Sequence, residues 1–406
     1  MNERAPKRLV YMDHAATTPI DGRVAELIHH TQETVFGNPT AMYQLGREAA
    51  SVLFDARSAL ADSLKVLPQE IIFTGSGTES VNLAILGAAR ANRDQGRHII
   101  ISAIEHKAVF AAIRVLESEG FTTTIVPVQH DGTIEIDSVI SALQDDTILV
   151  SIMYANNEIG TIQPIDQLTK AIKAHTRNKP PLFHTDACQA VGLLPVYPKE
   201  LGVDLLSLNG SKIYGPKGSG ALWMRNDVSL HPLIVGGDQE YGLRAGTENV
   251  AFSLGLAEAV FRAVENQQTE YDRLLKLQSY FFRSLSAIHP QLQINGSLTS
   301  RLPNNVHVTL PHLEGESLVL LLDSYGVAAA TGSACSALDL TPSHVLQAIG
   351  MEDDIIHGSV RFSMGRSTTS TDIDYTVNAF AKAIDHLQRI TTPECIPHKT
   401  KRHLRL

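Results

Sequence analysis

A lysine set among small residues is the first place where this sequence suggests chemistry: Leu208-Asn209-Gly210-Ser211-Lys212-Ile213-Tyr214-Gly215-Pro216-Lys217-Gly218-Ser219-Gly220. From Gly210 the spacing runs G-x-x-x-x-G-P-K. A P-loop would need the lysine elsewhere, followed by a Ser or Thr for Mg²⁺, so a P-loop NTPase is excluded. Lys212, past the end of a strand and flanked by small residues, suits a Schiff base with an aldehyde cofactor. Read alone, a solvated loop lysine is the plainer account. Phe183-His184-Thr185-Asp186-Ala187-Cys188-Gln189 then puts an aspartate at a strand end, 26 residues before Lys212. A pyridinium nitrogen needs such a carboxylate to stay protonated and act as an electron sink, although the same residue could cap a helix. Phe73-Thr74-Gly75-Ser76-Gly77-Thr78-Glu79-Ser80 reads as strand, glycine turn and helix start. Its helix amides and the Thr78 hydroxyl can hold a phosphate, or simply form a capping turn. In Ser102-Ala103-Ile104-Glu105-His106-Lys107, His106 opens a helix after a strand and can lie over a flat ring or be a structural histidine.

Positioning four such groups requires a sheet whose strand ends meet. Short β-branched runs are expected as strands at Glu70–Thr74, His98–Ser102, Thr123–Val128, Ile148–Met153, Leu182–His184, Asp204–Leu208 and Ala221–Met224. Between them Thr78–Asn92, Lys107–Glu119, Ile136–Leu143 and Ile165–His175 carry apolar residues at helical spacing. Such alternation predicts an α/β fold with a mostly parallel seven-stranded sheet, helices on both faces, and ligands at the carboxyl ends of the strands. After about residue 255 the texture changes. A long helical segment (Leu254–Leu285) precedes a strand at Asn304–Leu310, a helix at Gly315–Tyr325, a strand at Ser359–Ser363 and a terminal helix at Thr371–Arg389, capped by Ser370 or Thr371. We expect a large cofactor-binding domain at 17–255, with 1–16 and 256–406 forming a smaller α+β domain that carries the Cys335 loop.

Composition sets the outer limits. A chain of 406 residues that is 43% hydrophobic can bury its core without metals or disulfides. A net charge of −9 gives no global attraction to nucleic acid or an anionic membrane; only the tail from His398 to Arg405 is basic, as a solvated end would be. Cys188, Cys335 and Cys395 lie far apart, which argues against a zinc cluster and suits a reducing cytosol. No H-E-x-x-H occurs, so no metal ligands are assigned. No signal-length apolar run or stretch of 18 apolar residues is present, so a cytoplasmic protein is expected.

The four stretches, in this order, resemble the type I fold of pyridoxal-phosphate (PLP) enzymes, and specifically the NifS-like cysteine desulfurases of the class V aminotransferase group. The likeness spans nearly the whole chain. It includes Tyr11-Met12-Asp13-His14-Ala15-Ala16-Thr17-Thr18-Pro19, Phe36-Gly37-Asn38-Pro39, Asn156-Asn157-Glu158-Ile159-Gly160, Arg244-Ala245-Gly246-Thr247-Glu248-Asn249 and Gly332-Ser333-Ala334-Cys335-Ser336. The resemblance implies pyridoxal 5′-phosphate as cofactor, with Lys212 as its Schiff-base lysine and Asp186 as partner of its ring nitrogen. It makes Gln189 a donor to the phenolic oxygen, His106 the stacking and proton-moving histidine, and Gly77 and Thr78 the main phosphate contacts. Thr247 matches a threonine that reaches the phosphate from a second subunit, implying a homodimer. Asn157 and Arg361 match the groups that hold the substrate carboxylate, a role that suits the planar guanidinium fork. Asn209 and Ser211 stand where serine and histidine are usual; a hydroxyl at 211 can still donate to phosphate, weakening cofactor binding by about 1 kcal/mol.

Cys335 separates this chain from other members of the fold. It follows Thr331-Gly332-Ser333-Ala334 and precedes a polar stretch ending at Pro342, as in an exposed loop. A free thiol is only a few per cent thiolate at neutral pH, so a nearby histidine or cofactor group is expected to activate it. The implied reaction converts L-cysteine to L-alanine, leaves a persulfide on Cys335 and passes the sulfur to an acceptor protein for iron–sulfur cluster assembly or tRNA thiolation. The rivals are a selenocysteine lyase, an aminotransferase on the same scaffold, which would not need Cys335, and a cofactor-free sulfur-trafficking scaffold, which would not need Lys212, Asp186 and His106 together.

Overall fold

The computed structural model describes residues 8–176, 179–332 and 342–391. Cys335, Cys395 and the basic tail lie outside the described residues. In chain order the strands are β1 (Val10–Tyr11), β2 (Ile71–Thr74), β3 (His98–Ser102), β4 (Thr122–Val126), β5 (Thr147–Ser151), β6 (Leu182–Asp186), β7 (Leu205–Asn209), β8 (Gly220–Met224), β9 (Gln293–Ile294), β10 (Asn305–Thr309), β11 (Val327–Ala328) and β12 (Ser359–Ser363).

Strands β2 to β8 form a seven-stranded sheet in the order β2-β8-β7-β6-β5-β3-β4. The pairs from β7 through β4 are parallel, and β8 is antiparallel to both β2 and β7. The interior strand β3 (His-Ile-Ile-Ile-Ser), one in from the edge, is buried at every position, as a strand covered on both faces must be. Side chains alternate between faces. Ile71, Phe73 and Ile100 enter a core with the helices Gly22–Thr34, Gln44–Leu64, Ile165–His175 and Val250–Glu265. Ile72, Ile99 and Ile101 point the other way, into a core with residues 81–89 and the helix Lys107–Ser118. The mostly parallel sheet with helices on both faces is the expected architecture, and each expected strand is present to within two residues at either end.

Three expectations need correction. The helix read as Thr78–Asn92 contains a π-helical turn at Leu83–Gly87. The long segment Leu254–Leu285 is two helices, Val250–Glu265 and Gln267–Ser286, broken at Asn266, whose side-chain amide donates to the Arg262 carbonyl at 2.8 Å. Val260 and Ala263 belong to the larger core and Leu274 and Phe281 to a third, so the buried side chains of the two helices divide between two cores. The terminal helix, Ser370–Thr391, is capped by Thr369, whose hydroxyl accepts the Asp372 N–H (3.3 Å) while Asp372 accepts the Thr369 N–H (3.0 Å).

The third core lies under a small antiparallel sheet ordered β12-β10-β9 and a two-stranded parallel pair, β1-β11. Phe362 of β12 packs between Phe281 and Phe380, with ring centres 5.2 and 5.6 Å away. This sheet matters to the site because β12 carries Arg361, and because the chain leaving β1 runs from Asp13 to Thr18 across to the large sheet.

Candidate active site

Parallel strands bring their carboxyl ends to one edge. Strands β3, β5, β6 and β7 run in parallel, and β2 and β7, each antiparallel to β8, also point the same way. Thr78, His106, Asn157, Asp186 and Lys212 all follow or end those strands. Together with Gly77, Gln189, Asn209, Cys188 and Arg361 they line one cavity of about 190 Å³.

Asp186 closes β6 and is buried; one carboxylate oxygen accepts the Cys188 N–H at 2.9 Å. His106 is the N-cap of the helix Lys107–Ser118, and its Nδ1 accepts the Ala108 N–H at 3.2 Å. That bond leaves the proton of the neutral ring on Nε2. Burial holds the His106 pKa below the ordinary histidine value, helped by Lys212 and His344 and opposed by Asp186 and Glu158. Beneath it Glu105 is fully buried and raised to about 8 by the loss of water, with Ser102 and the Met153 N–H donating to one oxygen at 2.5 and 2.9 Å. The Cys188 thiol is pushed well above its ordinary value, by burial first and by Asp186 second, so it stays a thiol at neutral pH.

One end of the cavity is a helix start that can take an anion. A methyl group at Gly77 would come within 2.7 Å of Cys188 Sγ and 3.0 Å of Asn209 Cβ, so glycine is what allows the helix start to approach this closely. Ser76 takes the Glu79 and Ser80 amides, at 3.1 and 3.0 Å. The Gly77 and Thr78 amides have no partner among the described residues and line the cavity.

A single segment ties the other elements together. The Ala15 carbonyl accepts from Gln189 Nε2 at 3.0 Å, and the Ala16 carbonyl accepts from Lys212 Nζ. The Ser211 carbonyl accepts the Thr18 N–H and hydroxyl at 2.8 and 3.1 Å, and Ser363 Oγ accepts the Ala15 N–H at 2.9 Å. Asp13 Oδ1 meets Arg361 Nη2 at 2.7 Å, and Arg361 Nη1 donates to the Asn157 carbonyl at 2.8 Å. Arg361 is 2% exposed, and its Nε has no hydrogen-bond partner.

The structure brings together all but two of the expected cofactor and substrate residues that it describes. Ser211 does not line the cavity; its hydroxyl donates to Asn209 Oδ1 at 3.2 Å, and Asn209 faces the cavity instead. Thr247 is exposed and also outside the cavity, although the neighbouring Arg244 pairs with Glu79 at 2.9 Å, beside the Gly75 turn. Cys335 lies outside the described residues. Sequence reasoning missed Asp13 as the partner of Arg361 and the carbonyls of Ala15 and Ala16. The one available signal was the small-residue run after Asp13, which allows the close backbone approach seen here.

Residues 10–376 match the family described as aminotransferase class-V. Over 385 residues, 95% of this chain and 97% of the relative, the sequence is 46% identical to a protein of Dictyoglomus turgidum named cysteine desulfurase IscS. A protein of the same name from Methanosarcina thermophila is 45% identical over 96% of this chain and 95% of its own length. A solved structure described as a NifS-like protein is similar with a TM-score of 0.87 and 36% identity, covering 94% of this chain and all of that one (100%).

Proposed function

The chain belongs to the class V aminotransferase family, among its cysteine desulfurases, and we propose that it carries out the reaction L-cysteine + Cys335–SH → L-alanine + Cys335–S–SH. The observation that supports this reading is the convergence of Lys212, Asp186, His106 and the Gly77–Thr78 helix start on one cavity that Arg361 also lines. These residues suit pyridoxal phosphate, which when bound supplies an aldehyde and a cationic ring that takes up electrons from the substrate α-carbon.

The residues of the chain then divide the work. The Gly77 and Thr78 amides would hold the phosphate, and Asp186 would keep the ring nitrogen protonated. Lys212 Nζ would hold the aldehyde and would serve as the base that takes the substrate α-proton. His106, neutral and protonated on Nε2, would move protons within the cavity. Arg361 and Asn157 orient the substrate carboxylate. Cys335 thiolate would attack the substrate sulfur, forming the S–S bond as the C–S bond breaks with its electron pair remaining on the β-carbon; protonation of that carbon and return of the α-proton from Lys212 Nζ give alanine.

We further read the protein as a cytoplasmic homodimer that passes sulfur to an acceptor protein. Among the described residues no helix is long and apolar enough to cross a membrane. The exposed apolar side chains of Met42 (92%) and Val235 (79%) support a subunit interface. The deciding experiment incubates the protein with L-cysteine and measures alanine together with a persulfide on the Cys335 peptide. Cys335→Ser should bind cofactor and cysteine yet release almost no alanine. Release at near the parental rate would refute the reading.

A further inference from the structure

Glu158 is a buried carboxylate, 2% exposed, that the reaction above does not use. It sits in the turn Asn156–Gly160, where Asn156 Oδ1 accepts the Glu158 and Ile159 amides at 2.8 and 2.9 Å. The Glu158 carbonyl accepts from Asn305 Nδ2 at 2.8 Å, so the turn is locked to β10 as well. Its carboxylate faces two residues that are eleven positions apart in sequence. Ser343 Oγ donates to Oε2 at 2.6 Å, and a side-chain carbon built at Gly332 would lie 3.2 Å from the same oxygen. Gly332 has φ +131°, a conformation that glycine tolerates and other residues rarely adopt.

Both flanks of this pair are anchored near the site. Ala330 exchanges backbone hydrogen bonds with Arg361, at 3.1 and 2.6 Å, two residues before Gly332. After Ser343, which caps the short helix His344–Ala348, His344 Nε2 donates to the Glu105 carbonyl at 2.9 Å, next to His106. Buried His307 supplies the other wall. Its Nε2 has no hydrogen-bond partner and lies 3.9 Å from the Gly332 side-chain position. Cys335 is three residues beyond Gly332, so its Cα can lie at most about 11 Å from that anchor.

We propose that Glu158 is a positioning residue for sulfur transfer: its carboxylate binds Ser343 and lies against Gly332, the two positions between which Cys335 is tethered, and so limits the region the thiol can sample relative to the substrate held by Arg361. The same turn serves both partners of the transfer, because the Asn157 carbonyl accepts from Arg361 while the Glu158 carboxylate receives Ser343. This inference rests on Cys335 being the sulfur acceptor.

The test separates two reactions of the cofactor-loaded protein. Exchange of the α-hydrogen of L-alanine in D₂O needs Lys212 but no thiol, whereas persulfide formation from L-cysteine needs Cys335. In Glu158→Ala, exchange should stay within about twofold of the parent while persulfide formation falls on the order of ten- to a hundredfold, as loss of a hydrogen bond to a charged group implies. Glu158→Gln should recover part of the loss, since its amide oxygen still accepts from Ser343. Ser343→Ala should show the same split, smaller in size, and decides the matter if Glu158→Ala does not fold. Parental persulfide formation, or an equal fall in both reactions, overturns the proposal. Cys335→Ser distinguishes the two levels: if that variant still yields alanine from cysteine, the acceptor assignment fails first. If it is inactive while Glu158→Ala and Ser343→Ala match the parent, only the role of Glu158 fails.

Discussion

The two walls of the cavity are built on different principles. On the large-sheet wall the chemical groups follow the ends of their own strands, and several take their polar contacts locally in sequence, while Gln189 and Lys212 reach the Ala15 and Ala16 carbonyls. Asp186 binds the amide two residues on, His106 caps its own helix, and Asn209 binds Ser211. On the other wall every important contact is long-range. Arg361 is held by Asp13 and by the Asn157 carbonyl, 348 and 204 residues away, and Ser343 by Glu158, 185 away. The first wall can form wherever the sheet forms. The second exists only when β12, the segment after β1 and the turn after β5 have docked. Damage to the first should therefore abolish cofactor chemistry, while damage to the second should spare the cofactor and disturb substrate binding and sulfur transfer.

The largest effect tests the first wall. Lys212→Ala should remove the visible chromophore that borohydride would otherwise fix to the protein, and should lower alanine formation on the order of a thousandfold or more. A reduced cofactor found on another lysine would contradict the assignment. Asp13→Ala tests the second. It leaves the guanidinium of Arg361 buried with no carboxylate, which should destabilise the fold by about 3–5 kcal/mol, read from the urea midpoint. The KM for cysteine should rise more than kcat falls, with the chromophore retained; loss of the chromophore would mean that the two walls are not separable in this way.

Acid should weaken both walls. Burial lowers the pKa of His14 to about 4, His184 to about 4 and His307 to about 3. Each is neutral when folded and takes up a proton more readily when unfolded, near pH 6.5. Their contribution is therefore complete above that pH and is lost as pH falls through the interval down to those folded values, on the order of 3 kcal/mol for each group. His184 lies within the large sheet, between Ser151 and Ser207, while His14 and His307 belong to the other wall. The urea midpoint should drop between pH 6.5 and 4.5; a flat profile would show that these rings are not buried and neutral. The smallest effect is expected of Cys188→Ser. Its thiol lines the cavity but is held protonated, so cysteine turnover should stay within about threefold of the parent, and a loss as deep as that of Cys335→Ser would move the nucleophile to Cys188.

Much of the first wall was legible in the sequence because its information is local. Hydrophobic periodicity marks β6 and β7, and the residues that act lie at or just beyond their ends, so Asp186 and Lys212 could be located without knowing which strands are neighbours. The same holds for Thr78 and His106, each opening a helix after a strand. Ser211 shows the limit of that reading. The hydroxyl was expected to face the phosphate, but the one-turn 3₁₀ segment Gly210–Lys212 puts it on Asn209 Oδ1 and leaves Asn209 to face the cavity. The helix break at Asn266 was also missed, because apolar spacing continues through it and only the division of buried residues between two cores reveals it.

The sequence by itself determined the strand and helix order, the α/β class, the family and the residues that stand at strand ends, since these depend on patterns a few residues long. Only the tertiary structure decided that Asp13 faces Arg361, that Ala15 and Ala16 offer their carbonyls to Gln189 and Lys212, and that Glu158 receives Ser343 beside Gly332. The reason is that such pairings arise from the register of β10 against β12 and the docking of the small sheet on the large one. In a folded chain those are set by how many buried surfaces fit at once, and not by any stretch of sequence read alone.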